Sequence, residues 1–181
     1  WGSNGNSRLS LPSTVTFQST PVVLSLTDVV AVAPGFAFTL ALTKDGSVFA
    51  WGASGSGQVG QFYATVVQPT QIAGLHAIAI TAGDSHAGAI RNDGVLVAWG
   101  ENFNGQVGNN AAPTDVSVPT PVVGVSSVSP VVFGDDHSVG VTPWGDVYTW
   151  GKGADGRLGA GAGNTSDRST AQTSLMGLAL W

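Results

Sequence analysis

The sequence predicts an all-β fold, a partial β-propeller of about three to four four-stranded antiparallel blades. Strand and turn residues dominate the 181 residues, which include 26 glycines, one glutamate and only 9% charged side chains, whereas good surface helix formers are scarce. The pair Trp-Gly begins at Trp1, Trp51, Trp99 and Trp150, at spacings of 50, 48 and 51 residues. A period near 50 residues is typical of propeller blades, and it is longer than the usual turn of a β-solenoid, the alternative interpretation.

Each repeat can be interpreted strand by strand. Three segments align without gaps: 35–52, 83–100 and 134–151. Each begins with glycine and an apolar strand, and Asp45-Gly46 then supplies the positive φ angle of a tight hairpin turn. The next strand runs into Trp-Gly and a glycine-rich bend, after which a Pro-Thr stretch such as 69–70 begins the following unit. Since no blade buries both of its faces alone, we expect the tryptophans to pack between adjacent sheets.

The periodicity predicts a single partial propeller domain over residues 1–181. We place the repeats at 1–20 (the tail of a blade), 21–68, 69–118, 119–168 and 169–181 (the start of a further blade). Because the first and last repeats are incomplete, we expect either a piece of a longer propeller or a half-ring that a second chain completes. An open half would otherwise expose strand edges and an inter-blade face.

The aligned segments resemble the regulator of chromosome condensation repeat family. The repeat positions that carry this resemblance include Trp51, Gly52, His86, Trp99, Gly100, His137, Trp150 and Gly151. Phe38 departs from the pattern because the family has histidine there, and Ser54 and Gly153 replace its asparagine. The resemblance implies a ring of seven blades, of which this chain supplies about half. It also implies a guanine-nucleotide exchange factor for a small GTPase, an activity that cannot be assigned to particular residues here.

Composition excludes several function classes. A net charge of −5 argues against direct binding of nucleic acid, because phosphate recognition needs a basic face. The absence of cysteine excludes thiol nucleophiles and cysteine-ligated metals. The apolar window 21–42 is interrupted by Asp28 and Pro34-Gly35, so we expect two buried strands and no membrane insertion. Few lysines and abundant serine and threonine favour a secreted or surface-exposed setting, although the compartment itself is unknown.

Three motifs suggest chemistry that their context does not support. Residues 55–60 spell GxGxxG, but a dinucleotide loop must lead into a helix, and β-branched residues follow here. We therefore expect a structural bend and no cofactor. The strings Asp84-Ser85-His86 and Asp135-Asp136-His137-Ser138 suggest a hydrolase triad. Neighbouring strand residues point to opposite faces, which favours structural histidines. No metal is expected, and Asp135-Asp136 is interpreted as an exposed acidic turn.

Binding specificity in a propeller belongs to its surface loops. Phe62, Tyr63, Phe103 and Trp144 are the candidate protein-binding residues, since exposed aromatics often anchor interfaces. Asn164 begins an N-glycosylation acceptor motif in a further irregular loop. The sequence thus favours a non-enzymatic protein-interaction module or scaffold subunit without catalytic residues. An exchange factor, a hydrolase that rests on the Asp-Ser-His strings and a structural subunit of a larger assembly are the alternatives.

Overall fold

The fold is the all-β partial propeller that the repeat predicts. The computed structural model describes residues 1–174, which form thirteen strands and two single-turn 3-10 helices, Gly5–Ser7 and Ala154–Gly156. The strands are β1 (Gly2–Ser3), β2 (Phe17–Gln18), β3 (Val29–Pro34), β4 (Phe38–Thr43), β5 (Ser47–Ala53), β6 (Thr65–Ala82), β7 (His86–Arg91), β8 (Leu96–Gly100), β9 (Val116–Pro121), β10 (Val131–Phe133), β11 (His137–Val141), β12 (Val147–Gly151) and β13 (Arg168–Thr173).

Residues 1–174 contain three complete blades, and each is a four-stranded antiparallel meander. β3, β4, β5 and the first part of β6 form blade I, and the rest of β6 with β7, β8 and β9 forms blade II. β10 to β13 form blade III. β1 pairs with β2 and places Gly2 opposite Gln18. The glycine of Trp-Gly likewise pairs with the fourth strand in the other blades, as Gly52 pairs with Val66. β1 and β2 are therefore the outer strands of a blade that precedes blade I.

The structural blades are out of phase with the sequence repeats. The boundaries expected at 68/69, 118/119 and 168/169 all lie inside fourth strands. The Pro-Thr stretch at 69–70 pairs with β5 and completes blade I instead of opening the next unit, because β6 continues without a turn from blade I into blade II. Residues 168–173 likewise complete blade III, and residues 175–181 of the last expected repeat lie outside the described residues.

The hairpin turns between second and third strands have the predicted chemistry. Gly46 has a φ of +86°, which glycine adopts without strain. The Asp45 carboxylate accepts hydrogen bonds from the Thr43 hydroxyl and from the Ser47 amide and hydroxyl, and these bonds lower its pKa. In blade III the turn instead holds Trp144. The backbone N–H of Asp146, at the end of this turn, donates to the Thr142 hydroxyl at its start, with 3.0 Å between the two atoms.

The cores lie between blades. Blade I packs on blade II through Leu42, Val48, Ala50 and Val59 on one side and Ala87, Ala89, Val97 and Trp99 on the other. Blade II packs on blade III through Ile90, Leu96, Ala98, Val107 and Val122 on one side and Val128, Phe133 and Trp150 on the other. Since each buried aliphatic side chain contributes about 1.5–3 kcal/mol, each blade depends on its neighbours for stability.

Each repeated tryptophan joins its blade to the glycine-rich bend of the preceding blade. The indole Nε1 of Trp99 donates to the carbonyl of Gln58 at 2.9 Å, and that of Trp150 donates to Gln106, also at 2.9 Å. Trp51 makes the equivalent bond to Arg8. We call this repeated contact the indole clasp. It combines a buried aromatic ring with a satisfied polar atom, which fixes the distance and the angle between neighbouring blades.

A hydroxyl group supports the indole clasp in two of its three copies. Ser138 lies directly opposite Trp150 across β11 and β12, and its Oγ donates to the same Gln106 carbonyl at 3.0 Å. Thr39 Oγ1 lies 3.3 Å from the Arg8 carbonyl in the same way. In blade II this position is Ala87, so the clasp there consists of the indole alone.

Candidate functional site

The meander places loops on two opposite faces of the blades. Turns between first and second strands lie beside the long loops between third and fourth strands, and together they form the loop face. The hairpin turns between second and third strands lie at the other end, on the turn face. The residue after each Trp-Gly holds the loop face together, since the amides of Glu101 and Lys152 donate to the carbonyls of Ser85 and Asp136 at 2.9 Å.

The candidate aromatic residues are exposed, but the structure does not bring all of them together. Phe62, Tyr63 and Phe103 belong to loops between third and fourth strands, with exposed fractions of 55%, 61% and 71%. They therefore lie on the loop face. Trp144 is 77% exposed at a hairpin tip of blade III, on the turn face. One partner that contacts only one face cannot use all four side chains.

A buried asparagine shapes the loop that carries Phe103. The Asn102 carboxamide donates to the Thr114 carbonyl at 3.1 Å, and its Oδ1 accepts the Val107 amide at 3.1 Å. Asn4 makes the equivalent bond to the Leu9 amide. These bonds satisfy backbone groups inside the bend from which Phe103 projects, with its ring exposed.

Replacing Asn102 with alanine is expected to destabilise the protein by about 1–3 kcal/mol, because it leaves buried backbone groups without partners. Chemical denaturation of the variant and the parent measures this loss. Asn102→Ser is the matched control, because Ser54 occupies this position in blade I, where its hydroxyl donates to the Gln61 carbonyl. A serine variant as unstable as the alanine variant would contradict this role of the side-chain bonds.

Carboxylates gather on the loop face of blades II and III. The turns between first and second strands contribute Asp84, Asp135 and Asp136, and the loop of blade II contributes Glu101 and Asp115. Lys152 forms an ion pair with Asp136, at 2.8 Å between Nζ and Oδ2. We call these five carboxylates the acidic cluster. One ammonium group leaves most of its negative charge uncompensated.

The acidic cluster behaves as one electrostatic unit. Partial burial and the charges of Asp135 and Asp136 raise the pKa of Asp84. The pKa of Glu101 is raised by partial burial and by Asp136, Asp115 and Asp84, and Lys152 opposes this shift. Carboxylates that repel one another in this way are stabilised by an approaching cation. The arrangement therefore favours a positively charged ligand.

The Ser-His pairing differs from the one that a hydrolase would require. His86 Nε2 lies 2.9 Å from Ser138 Oγ of the next blade, not against its chain neighbour Ser85. Both side chains are completely buried, and among residues 1–174 the Nδ1 of His86 has no hydrogen-bond partner to orient it. Because the Ser138 proton goes to the Gln106 carbonyl, Nε2 carries the imidazole proton and the pair joins two blades. A substrate cannot reach it, and in the described part of the chain no carboxylate completes a triad.

Other chemistry finds no support in the described part of the chain. The GxGxxG segment at 55–60 leads through a loop into β6, not into a helix that could face a pyrophosphate. Residues 1–174 contain no group of three or more His, Asp or Glu side chains arranged to hold a metal ion. Among the same residues, no helix is long and hydrophobic enough to cross a bilayer.

Sequence reasoning missed the acidic cluster as a unit and overlooked Phe36. Asp84 and Asp135 occupy the same repeat position, directly after the glycine that precedes each second strand, and Phe36 occupies it in blade I. The Phe36 ring is 67% exposed, with the Arg8 guanidinium 5.7 Å from its centroid. Aligning the repeats by this position would have found all three residues, whereas Glu101 and Asp115 join them only through loop packing.

The blade order, the indole clasp and the exposed loop face define a propeller-repeat protein. Two models of the Regulator of chromosome condensation (RCC1) repeat match the chain, one at residues 29–58 and 77–106 and the other at 45–90 and 93–141. The chain belongs to the RCC1 repeat family.

Similar proteins and structures match most of this chain. Protein pim1 of Schizosaccharomyces pombe is 32% identical over 78% of this chain and 30% of its own length. Yeast RCC1 (Prp20) in its complex with Kap60 superposes with a TM-score of 0.84 at 26% identity, over 96% of this chain and 43% of that one. Human WBSCR16 superposes with a TM-score of 0.78 at 25% identity, over 94% of this chain and 45% of that one.

This chain spans less than half the length of these relatives. A second structure of Prp20p, from Saccharomyces cerevisiae, is described with its binding properties to Gsp1p and histones, and it gives a TM-score of 0.83 at 26% identity over 96% of this chain and 45% of that one. The similarity thus establishes the repeat and the partial propeller.

Proposed function

We propose that this protein is a non-enzymatic protein-interaction module that binds a basic protein segment on its loop face. The acidic cluster is the observation that carries the proposal. Its members lie on turns and loops held by repeated backbone bonds, where Asp135 is exposed and the other four are half-buried. Phe103, whose ring is exposed, follows Glu101 by two residues. Uncompensated carboxylates attract and orient a cationic partner, and an exposed aromatic ring supplies apolar contact area at low entropic cost.

The similarity to Prp20p supports a basic partner and suggests the first one to test. That relative is described with binding to histones, which makes core histones a suitable probe for the acidic cluster. The match covers less than half of Prp20p, so the loop face of this chain must recognise the histone with its own residues. Phe36, Phe62 and Tyr63 would extend the contact over blade I.

Neutralising the acidic cluster is expected to weaken histone binding by about tenfold or more at moderate salt, since three lost charge contacts each contribute about 0.5 kcal/mol. The variant combines Asp84→Asn, Glu101→Gln and Asp135→Asn, and fluorescence anisotropy with labelled histone measures the affinity. Asp28→Asn is the matched control, because it removes a carboxylate near the turn face. Equal affinity of the triple variant and the parent would contradict the proposal.

Two variants of exposed aromatic residues test in the same assay which face binds the histone. Phe103→Ala is expected to weaken histone binding several-fold, because Phe103 is exposed on the loop face two residues after Glu101 of the acidic cluster, whereas Trp144→Ala on the turn face should leave the affinity unchanged. The reverse result would move the binding site to the turn face.

Guanine-nucleotide exchange on a small GTPase is the second candidate function. Family membership and the described binding of Prp20p to Gsp1p favour it. Release of a fluorescent guanine nucleotide from a panel of small GTPases measures the activity directly. Rates that stay at the basal level for every GTPase would exclude exchange activity by this chain.

A second chain that completes the ring is a further proposed partner. The blades stack by one repeated contact, so a partner that continues the array must supply the same groups.

A further inference from the structure

A cleft opens on the turn face where blade I meets blade II. Its volume is about 360 Å³, a size that suits a small molecule. One wall is the hairpin turn of blade I, which carries Lys44 and Asp45, and the other is the stretch of β6 that enters blade II at His76. Both walls belong to complete blades, and the cleft lies on the face opposite to the acidic cluster.

The cleft holds an unpaired positive charge. Among residues 1–174, Lys44 is the only lysine or arginine whose side chain has no hydrogen-bond or ion-pair partner. The others each donate to a carboxylate, a carbonyl or a hydroxyl: Arg8, Arg91, Lys152, Arg157 and Arg168. The neighbouring Asp45 carboxylate does not pair with Lys44, because it accepts hydrogen bonds from Thr43 and Ser47 of its own hairpin.

Two further donors border the same cleft from blade II. The His76 imidazole and the Asn92 carboxamide are exposed, and within the described residues neither side chain makes a hydrogen bond. The two residues are linked through the backbone, since the Asn92 amide donates to the His76 carbonyl at 3.3 Å. Three side-chain donors, one of them a permanent cation, therefore surround one cavity. Such a set recognises the oxygens of an anionic group.

Exposed aliphatic side chains line the cleft beside these donors. Val30 is 61% exposed and Ile78 is 64% exposed. A ligand that covered them would remove apolar surface from water. The cleft thus suits a molecule with an apolar body and an anionic end. A single negative charge fits best, because Lys44 is the only lysine or arginine in the lining and Asp45 lies beside it.

The donor set is specific to this junction of blades. In the sequence repeat, the counterparts of Lys44, His76 and Asn92 at the junction of blades II and III are Asn92, Ser127 and Pro143. None of these counterparts carries a positive charge. The cleft between blades I and II therefore differs chemically from its neighbour, although the backbone of the repeat is the same.

We propose that this cleft binds a small organic monocarboxylate with an aliphatic body. The Lys44 ammonium pairs with the carboxylate, and His76 and Asn92 donate to its remaining lone pairs. Val30 and Ile78 contact the aliphatic chain. The site shares no residue with the acidic cluster, so the proposal stands apart from histone binding.

Hexanoate is the probe, and hexanamide and acetate are its matched comparisons. Each is titrated into the isotope-labelled full chain while amide chemical shifts are recorded. We expect hexanoate to shift the amides of Gly46, Ala77 and Asn92, and to leave that of Gly145 in the turn of blade III in place. Hexanamide, which has the same length without the charge, should bind about tenfold more weakly or worse. Acetate, which lacks most of the aliphatic body, should also bind at least about tenfold more weakly.

Variants of Lys44 test the charge directly. Lys44→Met should weaken hexanoate binding by about tenfold or more while the remaining spectrum shows a folded protein, and Lys44→Arg should retain binding. Arg157→Met removes a cation outside the cleft and is the control, with the affinity of the parent expected. The proposal is overturned if hexanoate shifts no amide that borders the cleft, if hexanamide binds equally well, or if Lys44→Met leaves the affinity unchanged.

Discussion

Replacing Trp150 with alanine is expected to lower the free energy of unfolding by about 3–5 kcal/mol, the usual range for deleting a buried indole. The Trp150 ring is fully buried between blades II and III, where it packs edge-on against Phe133 and donates to the Gln106 carbonyl. Its removal leaves a cavity and breaks an indole clasp. Urea unfolding followed by circular dichroism measures the effect.

Two companion variants separate the cavity from the hydrogen bond. Trp150→Phe keeps most of the ring but removes the N–H, so a loss of about 1 kcal/mol beyond the change in volume is expected. Trp1→Ala is the surface control, because Trp1 is 73% exposed, and it should change stability by less than about 0.5 kcal/mol. Equal destabilisation by Trp1→Ala and Trp150→Ala would refute the structural role of the clasp.

Stability is expected to fall steeply as the pH drops below 6.5, because His86 cannot take up a proton in the folded protein. Burial lowers its pKa to about 3, with His137 adding to the shift and Asp136 opposing it. The unfolded chain binds a proton near pH 6.5, so the unfolded state holds more protons between pH 6.5 and 3. Protonation of this one group in the unfolded chain therefore lowers the free energy of unfolding by about 1.4 kcal/mol for each pH unit of acidification.

His86→Phe is the matched variant for this pH dependence. Phe38 holds the same position in blade I, and a phenyl ring can retain the stacking on Phe133, whose centroid lies 4.4 Å from that of His86. The variant gives up the bond to Ser138 but has nothing to titrate. Its stability should fall less between pH 6.5 and 4.5, with the difference from the parent reaching about 3 kcal/mol. Parallel curves for the two proteins would show that His86 does not cause the pH effect.

Local sequence signals identified most of the fold. Trp-Gly marks the third strand of each repeat, and Asp-Gly marks the hairpin turn of blades I and II, because their backbone requirements are local. The phase of the blades was not predictable in this way. β6 contains Gly74 with a φ of +71°, but it still pairs with β5 at His76 and pairs with β7 from Ala77 onward, so only hydrogen-bond pairing shows where one blade ends.

The candidate site was predictable in part. Phe62, Tyr63 and Phe103 could be chosen as exposed aromatics in irregular loops, but their separation from Trp144 follows from the direction of the strands. His86 suggested chemistry with Ser85 because the two are neighbours in the chain. Its hydrogen-bond partner, Ser138, lies 52 residues away. Local patterns cannot identify a contact across such a distance.

The amino-acid sequence alone specified the all-β class, the period near 50 residues, the turn chemistry and the family, because each depends on short-range preferences that recur in every repeat. The contacts of the candidate site were decided by the stacking of the blades. This stacking brings residues from successive repeats into contact, so that Trp150 meets Gln106 and carboxylates from two blades form one cluster. Such contacts depend on the angle between sheets, which packing between blades sets and which no single repeat encodes.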